Sequence, residues 1–313
     1  MNLNKIVDVK YPIIQGGMAH IATGEFAAAV SNAGALGLIA SGGHKLEDFK
    51  EQIRICRELT DKPFGVNLML MNYEVDEMAQ IIADFEVPVV TTGAGNPSKY
   101  IDMWKSKGIK VIPVVPNPTL AARMESLGVD AVIAEGTEAG GHIGEMTTMT
   151  LVPQVVDRVK IPVIAAGGIA SGRQMFAAEI LGAIGVQVGT MLLVADECPI
   201  HENYKDRIIR AKDTQIAVIG RIGGIPVRLI KNSMSNEYVA REKEGWDKEQ
   251  LEIFTIGALR RAVKDGDVNE GSLMAGLVVN QINEKKPLKD ILEGLYNEYL
   301  EEKKKFYEGY ENR

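Results

Sequence analysis

Cysteine is almost absent. The 313 residues hold two, Cys56 and Cys198, and neither belongs to a Cys-x-x-Cys pair. A disulfide framework and a zinc knuckle are both excluded on that pattern. The four histidines show no ligand spacing such as His-Glu-x-x-His, so no metal site is expected. No apolar run approaches the roughly 20 residues of a membrane-spanning helix. Residues 1–10 lack the apolar stretch of a secretory leader, and cytosolic residence is the expectation. Positive charge is in short supply as well. A net charge of −7 argues against a general nucleic-acid binder, which needs a basic footprint.

Apolar residues are plentiful, 46% of the chain, which is enough for a large core. They fall into eight short runs at 12–15, 36–40, 65–70, 87–91, 110–115, 130–134, 161–165 and 185–188. The runs are near-continuous in Val, Ile, Leu and Ala rather than alternating, as strands buried on both faces are. Their starts lie 20 to 31 residues apart, room for one helix and two short loops each. Eight even β-α units predict a (β/α)8 TIM barrel. A doubly wound sheet competes, but no strand reversal is signalled. Asn96 and Pro97 are placed to start one helix. Ser171 is placed to cap another, with Gly182 at its exit.

The repeat breaks after Thr190. The reading divides the chain into a barrel of 1–194 plus about 250–313 and a small basic insertion of about 195–249, mainly helical. Residues 205–243 hold nine basic side chains against four acids. Such a patch suits docking of an acidic partner, and equally an ordinary solvated surface. Leu288, Ile291, Leu292, Leu295, Tyr296 and Tyr299 form a helical apolar stripe, to be packed on the barrel or on a partner subunit.

Barrel sites lie at the C-terminal ends of the strands. That rule assembles a mouth from Gln15-Gly16-Gly17-Met18, Asn67, the loop Glu135 to Gly144, Gly167-Gly168, and Gln187 with Gly189-Thr190. Main-chain N–H groups of Gly167, Gly168, Gly189 and Thr190 can converge on one phosphate, beside a helix that starts at Ser171. Each glycine pair alone is also what a tight turn needs. With no P-loop lysine, the nest fits a mononucleotide better than ATP. Gly93-Ala94-Gly95 imitates a dinucleotide fingerprint, but its third glycine is missing. His142, between Gly140-Gly141 and Gly144, is the candidate acid, base or hydrogen-bond donor. Glu135 either meets a cofactor hydroxyl, positions the histidine loop, or is a plain loop acid.

Four stretches carry a family resemblance: Tyr11-Pro12-Ile13-Ile14-Gln15-Gly16-Gly17-Met18, Ala139-Gly140-Gly141-His142-Ile143-Gly144, Ala165-Ala166-Gly167-Gly168-Ile169-Ala170 and Val186-Gln187-Val188-Gly189-Thr190. They resemble the flavin barrels that include nitronate monooxygenases. Asn96-Pro97-Ser98-Lys99-Tyr100 and Met146-Thr147-Thr148-Met149-Thr150 are most similar to enoyl-acyl-carrier-protein reductase II. The likeness runs from about residue 6 to the C-terminal helices and is weakest over 214–256. It implies bound FMN, NADH or NADPH as co-substrate, and a homodimer. It further implies reduction of trans-2-enoyl-acyl carrier protein, the last step of bacterial fatty-acid elongation. On that resemblance Gly17, Met18 and Asn67 contact the isoalloxazine ring or its surroundings, Glu135 lies near the ribityl chain, and Gly16, Gly140 and Gly141 are further cofactor-binding residues. Gly167, Gly168, Gly189 and Thr190 would bind the phosphate, Gln187 is a further cofactor-binding residue, and His142 matches the family's active-site histidine. Family members respond to monovalent cations, though the sequence shows no cation site. The rival readings are nitronate oxidation by oxygen and a flavin-binding scaffold without turnover. A purine-nucleotide dehydrogenase would need a cysteine after the sixth strand.

Overall fold

The structure, a computed structural model, describes residues 1–223 and 225–311. In chain order its strands are β1 (Ile13–Gln15), β2 (Gly37–Ala40), β3 (Phe64–Met69), β4 (Val89–Gly93), β5 (Lys110–Val115), β6 (Val132–Glu135), β7 (Gly141–His142), β8 (Val163–Ala166), β9 (Gly185–Val188), β10 (Ile216–Ile219) and β11 (Val227–Ile230). Eight of these run parallel in the order β1-β9-β8-β6-β5-β4-β3-β2. A parallel bridge between Ile14 and Leu36 joins the two ends of the series, so the sheet closes on itself. The fold is the (β/α)8 barrel that the spacing predicts.

Closure explains the apolar strands. Successive side chains point to opposite faces of a strand. Ile14, Leu38, Val89, Ile112, Ile133 and Ile164 pack with one another inside the barrel. Their neighbours Ile13, Ile39, Val90, Val111 and Val132 pack outward under the helices. Neither face is left to water, and truncating one such residue, Ile133→Ala, would cost roughly 2–5 kcal/mol. Leu3, Val7 and Val9 join the inner cluster and plug the N-terminal end of the barrel. Asn2 N–H donates to Ile184 C=O at 2.8 Å and ties the plug down.

Ser171 caps helix Gly172–Ile180, its Oγ accepting the Gln174 N–H at 3.3 Å. The apolar stripe of the last helix, Leu288–Glu311, is buried through Leu288, Leu292, Leu295 and Tyr299. It packs on the barrel's own helix Gly172–Ile180, where the Phe176 and Tyr299 rings meet edge to face at 6.3 Å. Asn96 does not cap a helix. Its Oδ1 accepts the Ser98 N–H at 3.1 Å in a local turn, and the helix begins later, at Ile101.

The insertion after β9 contains more than helices. Helix Glu202–Ile209 leads into an antiparallel hairpin of β10 and β11, followed by helices Ser233–Lys243 and Lys248–Thr255. Strand β11 then pairs with β7, placing Val227 opposite His142 and Arg228 opposite Gly141. The insertion is thus hydrogen-bonded to the histidine loop of the barrel. Among the described residues no helix is long and apolar enough to cross a membrane.

Candidate active site

A cavity of about 460 Å³ opens at the C-terminal ends of the barrel strands. Its wall includes all thirteen residues that the sequence singles out. Gly16, Gly17 and Met18 follow β1, and Asn67 projects from β3. Glu135, Gly140, Gly141 and His142 come from the end of β6 and the loop after it. Gly167 and Gly168 follow β8, Gln187 lies on β9, and Gly189 and Thr190 follow it. Among the described residues no lysine or arginine lines this space.

At one end the main chain forms an anion nest. Among the described residues, the N–H groups of Gly167, Gly168, Gly189 and Thr190 make no hydrogen bond. Four unsatisfied donors beside the capped start of a helix suit a phosphate that carries its own charge. Only glycine serves at Gly167. Its φ is +90°, and a Cβ there would stand 2.6 Å from the Gly136 carbonyl oxygen. The residues present therefore fit a flavin mononucleotide, whose phosphate would take this nest.

Asn67 lies deeper. Its Oδ1 accepts the Thr91 hydroxyl at 2.9 Å, which turns the amide nitrogen into the free donor of the pair. Gly17 sits directly against it, since a Cβ there would collide with the Asn67 side chain at 2.3 Å. Glu135 ends β6 with its side chain mostly buried at the cavity wall and without a hydrogen-bond partner among the described residues. Burial pushes its carboxyl up to about 7. A carboxyl in that state waits for a donor from a ligand.

His142 stands at the mouth. The ring is exposed, but the loop walls strip enough water from it to hold its pKa below the ordinary imidazole value. At neutral pH it is therefore a neutral ring with one N–H to give. Its position is fixed by main-chain bonds: β7 pairs with β11, and Ile143 N–H donates to Pro226 C=O at 3.2 Å. Arg228 completes the clamp. Its buried guanidinium donates to the carbonyls of Thr137 and Ala139, the second at 3.4 Å. Among the described residues no carboxylate pairs with it, and its Nε has no partner. Burial holds its pKa below the usual guanidinium value.

Glu138 belongs to the loop Glu135 to Gly144 that the sequence places at the mouth, and the structure adds its role: its carboxylate accepts from the Thr148 N–H at 2.9 Å and from the Thr148 hydroxyl at 2.9 Å, tying the histidine loop to helix Thr148–Arg158. The part of the wall that the sequence motifs miss is the segment from Met274 to Gly276. Gly276 N–H donates to Thr190 Oγ1 at 2.9 Å, and Leu277 N–H to Glu138 C=O at 3.0 Å. Only the glycine of 272–276 hinted at this close passage. Among the described residues no cluster of three His, Cys, Asp or Glu could hold a metal ion.

The family model for nitronate monooxygenase matches residues 1–84 and 74–298. A probable nitronate monooxygenase of Staphylococcus saprophyticus is 35% identical, over 85% of this chain and 87% of its own length. A bicyclic carboxyl-CoA dehydrogenase of Rhodococcus jostii is 28% identical over 94% of both chains. The solved structure of FabK from Thermotoga maritima superposes with a TM-score of 0.95, at 45% identity over 98% of both chains. With the barrel and the cavity at its mouth, these matches make the chain a member of the nitronate monooxygenase family of flavin-dependent oxidoreductases.

Proposed function

We propose that the chain reduces trans-2-enoyl thioesters carried on acyl carrier protein, with NADH or NADPH as reductant and FMN as the hydride relay. The observation that carries this reading is the near-complete likeness to FabK, the enoyl-acyl-carrier-protein reductase II type that the sequence motifs resemble. FMN, when bound, supplies the hydride that adds to the β-carbon of the enoyl thioester.

The chain's own residues do the rest. The N–H nest at Gly167, Gly168, Gly189 and Thr190 holds the cofactor's phosphate. Asn67 gives its free amide N–H to the ring end, and Glu135 takes a hydroxyl hydrogen bond from the sugar chain. Negative charge develops on the thioester carbonyl as hydride arrives. His142 gives its N–H to that oxygen or delivers the proton to the α-carbon. Arg228 and the β7–β11 pairing keep the ring in place. Met18, Leu193, Leu259 and Val278 provide an apolar wall for the acyl chain and keep bulk water away. The same reading expects a homodimer.

A second reading is favoured by the names of the curated relatives: oxidation of alkyl nitronates by oxygen, with His142 as the base. An anaerobic experiment separates the two. The yellow protein is treated with NADH or NADPH until the flavin bleaches, and crotonyl thioester is then added. Return of the oxidised spectrum without oxygen is the expected result. Bleaching that only oxygen reverses, with oxygen uptake on ethyl nitronate, would replace the reductase reading by the second.

A further inference from the structure

A second cavity, of about 260 Å³, adjoins the first. Three pairs of consecutive residues form the wall between them. Ala19, Gly42 and Leu259 face the first, and their neighbours His20, Gly43 and Arg260 face the second. The side chains that give the second pocket its chemistry are His20, His44, Asp48, Gln52, Arg260 and Lys264.

Their donors are largely uncommitted. Among the described residues Lys264 forms no ion pair. Arg260 reaches only Asp265, at 3.8 Å, a separation worth little at the surface. Gln52 accepts the Gly24 N–H through Oε1 at 2.7 Å, leaving its amide N–H groups to donate. The single acid, Asp48, is engaged by His44 Nδ1, while His44 Nε2 is enclosed and has no partner. With Nδ1 turned to Asp48, Nε2 donates to an anion only in the imidazolium form; Lys264, Arg260 and the Gln52 amide are donors in either form.

The backbone is arranged around this pocket at some cost. His20 holds a left-handed φ of +61°. A non-glycine residue stays there only where the surroundings enforce it. Gly43, at φ +94°, lets the second loop close over the His20 ring, since a Cβ would stand 2.4 Å from it. Burial, and after it the charges of His44, Lys264 and Arg260, hold the His20 pKa below its ordinary value. Two cations, Arg260 and Lys264, face the pocket against one carboxylate, Asp48.

We propose that this pocket is an anion subsite for the phosphate ester of a substrate whose reacting end lies in the first cavity. The identity of that substrate rests on the reductase reading; the subsite itself does not. Two sources share the chemistry: the 2′-phosphate of NADPH, and the phosphate of the pantetheine arm that carries the thioester.

The test is the double variant R260A/K264A, read in paired arms. NADPH is compared with NADH in anaerobic flavin bleaching, and crotonyl-coenzyme A with the phosphate-free crotonyl N-acetylcysteamine in turnover. The concentration for half-effect should rise at least 10-fold, in line with loss of charged hydrogen bonds to phosphate, for the phosphate-bearing member of one pair. Its phosphate-free partner should move less than twofold. A rise confined to NADPH assigns the 2′-phosphate, and one confined to the coenzyme A thioester assigns the arm. Inorganic pyrophosphate, titrated against histidine-labelled holoenzyme by NMR, gives a readout independent of turnover. Saturable shifts of two of the four histidine rings, lost in R260A/K264A, support the subsite even where no enoyl thioester is reduced, which would sink the reductase reading alone. Absence of those shifts, or shifts without either kinetic effect in an enzyme that turns over crotonyl thioesters, overturns the proposal.

Discussion

Glu135 is a carboxyl that the fold holds against its own ionisation. Burial moves its pKa from 4.5 up to about 7, and among the described residues no cation or donor offsets that. The sign follows from proton linkage. The folded state keeps the proton where the unfolded chain has released it, so the cost is absent below pH 4.5, grows as pH rises, and is complete above 7. At about 1.4 kcal/mol per pH unit the full cost is about 3 kcal/mol. Glu135→Gln removes the charge and keeps the shape. The flavin-free variant should gain about 3 kcal/mol at pH 8 and under about 1 kcal/mol at pH 5. Urea unfolding followed by tryptophan fluorescence reads this, because Trp104 is fully buried in the barrel wall. With a slope of about 3 kcal/mol/M the midpoint at pH 8 should rise by about 1 M, the slope being unchanged. Equal gains at the two pH values, or none, would refute the argument that an uncompensated carboxyl sits there.

Four further outcomes are expected. His142→Ala should keep the flavin spectrum and its bleaching by NAD(P)H, yet lose about 100-fold or more in enoyl turnover; unchanged turnover removes His142 from the mechanism. Because the ring is neutral at pH 7, the factor by which His142→Ala lowers turnover should be the same at pH 7 and 8.5, and a factor that shrinks over that range would mark a protonated ring as the active form. Gly167→Ala combines a left-handed φ with a clash on the Gly136 carbonyl, so equilibrium dialysis should show FMN affinity at least 10-fold weaker, while circular dichroism shows an intact barrel. Arg228→Met leaves the Thr137 and Ala139 carbonyls without their donor; roughly 1–3 kcal/mol of stability should go, with kcat falling further than FMN affinity.

The barrel is legible in the sequence because closure buries both strand faces, which writes each strand as an unbroken apolar run. The mouth is legible because the C-terminal strand ends are the fixed site of such barrels, so glycines after β8 and β9 can be placed beside His142 without long-range information. The β7–β11 pairing is another matter. Its barrel half is two residues, Gly141 and His142, inside a glycine loop that carries no strand signal. Its partner lies some 85 residues away in a segment rich in positive charge. That charge also misleads locally. Lys205 and Arg228 belong to the basic run that suggested a docking surface, yet both are buried, Arg228 among loop carbonyls. Charge counted along the chain does not report which side chains reach solvent. Asn96 fails for a similar reason: its side chain has a nearer N–H to bond, at Ser98, than the start of any helix.

The bond between β7 and β11 has a consequence for modularity. Barrel enzymes diversify by exchanging the loops above a constant frame, on the premise that a loop can be replaced without disturbing its neighbours. Here the insertion cannot be traded as a separate cassette. Its second strand supplies half of the ladder that holds His142, and its Arg228 satisfies the carbonyls of the same turn. A transplanted insertion would have to bring its own strand in the same register, with an equivalent donor opposite Gly141. Any lineage that altered this insertion would have altered the seat of His142 in the same stroke.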